Sequence, residues 1–204
     1  MKKILYIALC AVILFLGYRL IFSSSTSPVE KNALDSQTII CFGDSLTYGT
    51  GAGRGMDYPS QLSEMIGKPV INAGVPGDTT ARALRRLEPD VLSKSPDLVL
   101  ITLGGNDLKN GVAREQAFEN LYKIVASIQN AGAKVIIGGL SFPLRDRGYG
   151  KAYRQLADDT GADLISNIFE GIMGNRDLMS DPIHPNDKGY KIIAERFHEA
   201  MMAQ

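Results

Sequence analysis

The stretch Asp97-Leu98-Val99-Leu100-Ile101-Thr102-Leu103 constrains the fold more than any other part of the chain. A strand with one wet face alternates apolar and polar residues. This run does not alternate, so both of its faces must be covered, as in a central strand of a parallel sheet. Four shorter runs read the same way: Thr38–Phe42, Pro69–Asn72, Lys134–Gly138 and a weaker Asp163–Ser166. A helical pattern follows each run. Parallel neighbours need a crossover, and the crossover is right-handed. Five strand–helix alternations therefore predict a three-layer α/β/α sandwich with a five-stranded parallel sheet, of flavodoxin-like type.

Punctuation between the strands supports this. Pro59 opens a helix that buries Leu62, Met65 and Ile66 and ends at Gly67. Asp78 or Thr79 is placed to cap a helix carrying Leu84 and Leu87, which Pro89 is expected to interrupt. Phe118, Leu121, Tyr122, Val125 and Ile128 recur at helical spacing over Arg114–Ala131, and Gly132 stops them. Lys151–Thr160 is predicted helical. A last helix starts near Asp187 and buries Ile192, Ile193, the Arg196 stem, Phe197 and Met201.

The predicted strand ends concentrate chemistry. In parallel sheets, ligands bind beyond the carboxyl ends of the strands. The first strand runs into Gly43-Asp44-Ser45, the second into Gly74, the third into Gly104-Gly105-Asn106-Asp107. Ser45 sits where a nucleophile would stand, although a Ser/Asp turn capping a helix has the same pattern. Only two histidines exist. His198 lies on the closing helix and reads as a surface residue. His184 lies in the proline-bounded turn Ser180-Asp181-Pro182-Ile183-His184-Pro185-Asn186, with Asp181 three residues before it. Acyl transfer to serine needs a nucleophile, a base, a carboxylate orienting that base, and donors for the oxyanion. Ser45, His184 and Asp181 are the candidates for the first three roles; the Asn106 amide and the Gly74 N–H are candidates for the last. Asn106 and Gly74 also read as ordinary turn residues, and Asp44 and Asp107 as local hydrogen-bond organisers.

The four blocks Gly43-Asp44-Ser45-Leu46, Asn72-Ala73-Gly74-Val75-Pro76-Gly77-Asp78-Thr79-Thr80, Gly104-Gly105-Asn106-Asp107 and Asp181-Pro182-Ile183-His184-Pro185-Asn186 stand in this order. The chain thereby resembles the SGNH (GDSL-type) hydrolases, most of all the branch of thioesterase I and lysophospholipase L1-like arylesterases. The likeness spans residues 38–200. It implies Ser45 as nucleophile, His184 as base and Asp181 as the group orienting it. It implies an oxyanion hole made of the Ser45 and Gly74 N–H groups and the Asn106 side chain, with no metal or cofactor. The implied substrates are aryl or short acyl esters, acyl thioesters or lysophospholipids. Removal of O-acetyl groups from polysaccharide is the alternative reaction, and a catalytically silent, membrane-tethered binding module is the alternative to an enzyme.

Other readings are weaker. Gly49–Gly55 suggests a phosphate loop, but neither a dinucleotide nor a Walker spacing is met, so a flexible site-edge loop is expected. Lys+Arg and Asp+Glu are 22 each, so no basic face points to nucleic acid. Cys10 and Cys41 are too few for a disulfide framework and have no metal partners in sequence.

The start of the chain differs from the rest. Lys2 and Lys3 precede an apolar run from Ile4 to Leu16, extended by Leu20-Ile21-Phe22. As a helix, Ile4–Phe22 would be about 28 Å long, close to a bilayer core. Residues 1–22 are thus expected to be a membrane anchor or a signal segment. Arg19, close to the small residues Ser23–Ser25, favours the anchor. Residues 23–36 read as a linker and 37–204 as the hydrolase domain. The two lysines place the domain outside the cytoplasmic membrane, either tethered or exported after cleavage.

Overall fold

The structure is a computed structural model that describes residues 37–141 and 147–203. The expected membrane segment and linker lie outside the described residues, as does the middle of the Ser141–Gly150 loop. Five strands form one sheet: β1 Ile39–Gly43, β2 Val70–Gly74, β3 Leu98–Thr102, β4 Lys134–Gly138 and β5 Asp163–Ile165. Their order is β2-β1-β3-β4-β5 and every pair is parallel. This is the expected α/β architecture. β1 and β3 are buried throughout, which is why their sequences carry no polar alternation.

The register sets the strand ends level. Gly43, the last residue of β1, pairs with Gly74 of β2 on one side and Thr102 of β3 on the other. The chain leaves β1 toward β2 and later returns across β1 to β3, so the order reverses between β1 and β3. That gap is where an open parallel sheet offers a crevice.

The helices are α1 Ser45–Tyr48, α2 Tyr58–Ile66, α3 Thr80–Asp90, α4 Gly105–Lys109, α5 Arg114–Asn130, α6 Tyr149–Thr160 and α7 Asp187–Met202. α2 packs on α7, while α3 packs on α5 and α5 on α6. Tyr58 of α2 stacks on Phe197 of α7 with ring centroids 5.2 Å apart. Phe118 of α5 meets Tyr149 and Tyr153 of α6 edge to face. The core between these layers and the sheet includes Phe42, Leu100, Ile136, Leu121, Ile193 and Phe197.

Several boundaries differ from expectation. α3 runs through Pro89 to Asp90, so the proline does not interrupt the helix but falls one residue before its end. Of the two expected caps, Thr79 is the one that caps α3; its side chain accepts from Arg82 N–H. Tyr122 falls at core spacing but is 48 % exposed, and the buried face of α5 uses Asn120 and Ile124 instead. α6 begins at Tyr149, two residues early. The Gly49–Gly55 loop is pinned rather than free. Gly53 N–H donates to Asp187 Oδ1 at 2.7 Å, and the buried Tyr190 hydroxyl donates to Thr50 O at 2.8 Å.

Candidate active site

Ser45 stands at the first position of α1, directly beyond β1. Asp44 is the residue before the helix, and its Oδ1 accepts the Leu46 N–H at 3.0 Å. This cap turns the chain sharply and leaves the Ser45 N–H without a partner among the described residues. Far along the chain, the turn before α7 is folded by its own aspartate. Asp181 Oδ1 accepts the N–H groups of Ile183 and His184, both at 2.8 Å. Asn186 then caps α7, accepting from Lys188 and Gly189.

These two local structures meet. His184 Nε2 lies 3.0 Å from Ser45 Oγ, and His184 Nδ1 lies 2.6 Å from Asp181 Oδ2. The imidazole is 15 % exposed and the Asp181 side chain 43 % exposed, so the group opens to solvent. Burial pushes the Asp181 carboxyl up, but the His184 ring and the two backbone N–H groups outweigh it and hold the group below its usual range. His198 lies on the twelfth residue of α7, about 16 Å along the axis from its start, so it cannot join the group.

Asn106 is the second residue of α4, beyond β3. Its amide nitrogen donates to Asp44 Oδ2 at 3.1 Å and to the Asp78 carbonyl at 2.9 Å. It therefore joins the β1 turn to the loop after β2. Asp44 is 3 % exposed. Burial pushes its carboxyl up to about 7, with the Leu46 N–H and His184 opposing and Asp78 and Asp107 adding to the rise. Asp107 reaches away from the serine: its oxygens accept the N–H and hydroxyl of Thr80, fixing the start of α3.

Gly74 departs from the expectation. Its N–H donates to Asn72 Oδ1 at 3.0 Å and is not free for an oxyanion. Its lack of a side chain has a packing reason, since a Cβ there would lie 2.1 Å from Tyr48 N of α1. The next glycine was not singled out from sequence. Val75-Pro76-Gly77-Asp78 forms a tight turn closed by Asp78 N–H to Val75 O at 3.1 Å, with Gly77 at φ +79°. Proline followed by a left-handed glycine is a type II turn, and the Pro-Gly pair is its sequence signal. The Gly77 N–H has no partner among the described residues.

Arg86 was also missed. From α3 it reaches three acceptors near the strand ends, the Gly43 and Ala73 carbonyls and the Asp78 carboxylate. Cys41 is fully buried, and burial pushes its thiol up, so it is no competing nucleophile. Among the described residues no group of three or more His, Cys, Asp or Glu is placed to hold a metal ion.

Comparison with known proteins adds to this geometry. The model of a family described as the GDSL-like lipase/acylhydrolase family matches residues 41–192. Esterase TesA of Pseudomonas aeruginosa is 30 % identical over 161 residues, covering 74 % of this chain and 80 % of that one. An arylesterase of Vibrio mimicus is 30 % identical over 174 residues, covering 78 % and 86 %. The crystal structure of psychrotrophic esterase EstA from Pseudoalteromonas, inhibited by monoethylphosphonate, superposes with a TM-score of 0.75 at 27 % identity, covering 82 % of this chain and 98 % of that one.

Proposed function

The chain belongs to the GDSL-like lipase/acylhydrolase family and is a carboxylic ester hydrolase, and on that premise we propose that it cleaves its substrates through an acyl-enzyme on Ser45. The observation that carries this reading is the continuous contact from Ser45 Oγ through His184 to Asp181. His184 Nε2 takes the serine proton as Oγ attacks the acyl carbon. Asp181, ionised and bonded to Nδ1, holds the ring with Nε2 toward the serine and stabilises the imidazolium that forms. The same proton passes to the leaving group. Water then repeats the sequence on the acyl-enzyme.

The carbonyl oxygen becomes an oxyanion beside the Ser45 N–H and the Asn106 amide. Asn106 shares the hydrogen it now gives to Asp44, the longer of its two bonds. The third donor is the Gly77 N–H in place of that of Gly74, which Asn72 occupies. Aryl and short acyl esters are the proposed substrates, with acyl thioesters and lysophospholipids of the same class. The relatives named esterase and arylesterase support this. Residues 1–22 tether the domain to the outer face of the cytoplasmic membrane, a reading supported by the length of the apolar run and by Lys2 and Lys3.

Covalent labelling tests the nucleophile. An alkyl phosphonate should stop hydrolysis of p-nitrophenyl acetate and leave its adduct on Ser45 by peptide mass spectrometry. His184→Ala should lose on the order of 10⁴ in kcat, while His198→Ala stays within a few fold. An adduct on another residue, or equal losses from the two histidine variants, would overturn the assignment. A series of p-nitrophenyl esters from acetate upward then ranks the acyl groups.

A further inference from the structure

We propose that Arg86, on α3, is a positioning residue for the oxyanion site, acting through Asp78 on the Asn106 amide. The inference rests on the reading of Asn106 as an oxyanion donor.

The Arg86 guanidinium makes four hydrogen bonds to protein acceptors. Its Nε donates to Asp78 Oδ2 at 2.5 Å. Nη1 donates to Ala73 O at 2.9 Å and to Asp90 Oδ2 at 2.9 Å. Nη2 donates to Gly43 O at 2.8 Å. The group also lies over the Phe42 ring, 4.4 Å from its centroid. The side chain is only 16 % exposed. One planar fork therefore ties the end of β1, the end of β2 and the loop after β2 to a single point. A lysine, with its point charge on a flexible stem, cannot hold three such directions at once.

The link to the chemistry is short. Asp78 is held by its side chain to Arg86 and by its carbonyl to Asn106 Nδ2. Gly43, two residues before Ser45, shares its carbonyl between Arg86 and the Val75 N–H at the start of the same loop. Asp44, Asp78 and Asp107 are all buried around Asn106. Of the cations near Asp78, Arg82 is exposed and stands 3.9 Å off, so the close pairing falls to Arg86. Without it Asp78 would be a buried carboxylate lacking its partner. Such a group moves toward water or takes a proton. Either response shifts the backbone carbonyl that fixes the Asn106 amide, and a small misplacement of a reacting group is enough to slow a reaction about a hundredfold.

A double-mutant cycle on the full-length protein tests this. Arg86→Lys alone should lower kcat on p-nitrophenyl acetate by about tenfold to a hundredfold, with KM within about threefold. Asp78→Asn breaks the same pair from the other side and should give the same kcat-dominated loss. Asn106→Ala alone should lower kcat by about 10²–10³. In the Asn106→Ala background, Arg86→Lys should cost less than about threefold more, because the group it positions is gone. Multiplicative losses in the double variant would overturn the inference, as would an Arg86→Lys enzyme with a lower melting temperature and unchanged kcat. Should Asn106→Ala leave kcat intact, the oxyanion reading itself falls and takes the inference with it.

Discussion

At the scale of single residues, Asp44 is the group most at odds with its surroundings. It is nearly sealed from water and holds both the α1 cap and one Asn106 hydrogen. Burial first, then Asp78 and Asp107, push its carboxyl up to about 7. The sign of the consequence follows from linkage. The folded chain keeps a proton that the unfolded chain releases near pH 4, so this group's contribution is full below about pH 4 and is lost as pH rises toward 7. Asp44→Asn should remove that slope. Between about pH 4 and 7 the wild type should lose up to about 4 kcal/mol relative to the variant. Denaturant melts of both proteins across this range check it, and parallel curves would refute it.

At the scale of elements, the loop after β2 carries two glycines with opposite demands. Gly74 faces the backbone of α1, so Gly74→Ala forces Thr47 and Tyr48 away and displaces the helix that carries Ser45. A loss of about 1–3 kcal/mol, or more, with a matching fall in kcat is expected. Gly77→Ala meets open space and strains only a positive φ, costing about 1–2 kcal/mol. Thermal melts of the two variants should separate them, and a stable, active Gly74→Ala would show that α1 yields freely. These elements also show what the sequence made legible. β1 and β3 were readable because burial on both faces leaves an apolar run with no interruption. Ser45, His184, Asp181 and Asn106 were readable as strand-end and turn residues, and the structure brings the first three into one hydrogen-bonded line and bonds Asn106 to Asp44, the neighbour of Ser45. Gly74 misled because the bond that occupies its N–H comes from a side chain two residues back, which no strand pattern reveals. Arg86 was hidden for a related reason: two of its four acceptors are backbone carbonyls on two other elements, and carbonyls leave no mark in a sequence. The glycine-rich loop read as free because its anchors, Asp187 and Tyr190, lie more than 130 residues away.

At the scale of the whole molecule, the contacts of the candidate site among the described residues come from residues 43–187. Among the described residues no helix is long and apolar enough to cross a membrane, so the proposed tether depends on residues 1–22 alone. Deleting Met1–Pro28 should give a soluble enzyme whose kcat on p-nitrophenyl acetate stays within about twofold, whereas the full chain should sediment with membranes and resist extraction by high salt. Intact mass of the full protein decides the tether: a mature start near Thr26 refutes it. The long reach from Ser45 to His184, 139 residues along the chain, also has a bearing on time. A ribosome adds about 5–20 residues per second, so the serine emerges about 7 to 28 seconds before the histidine, and α7, which clamps the Gly49–Gly55 loop, comes later still. On the proposed mechanism a half-made chain carries a nucleophile with no base. Its own synthesis is thus a period of chemical silence, and nascent or prematurely ended chains cannot attack the esters and thioesters around them.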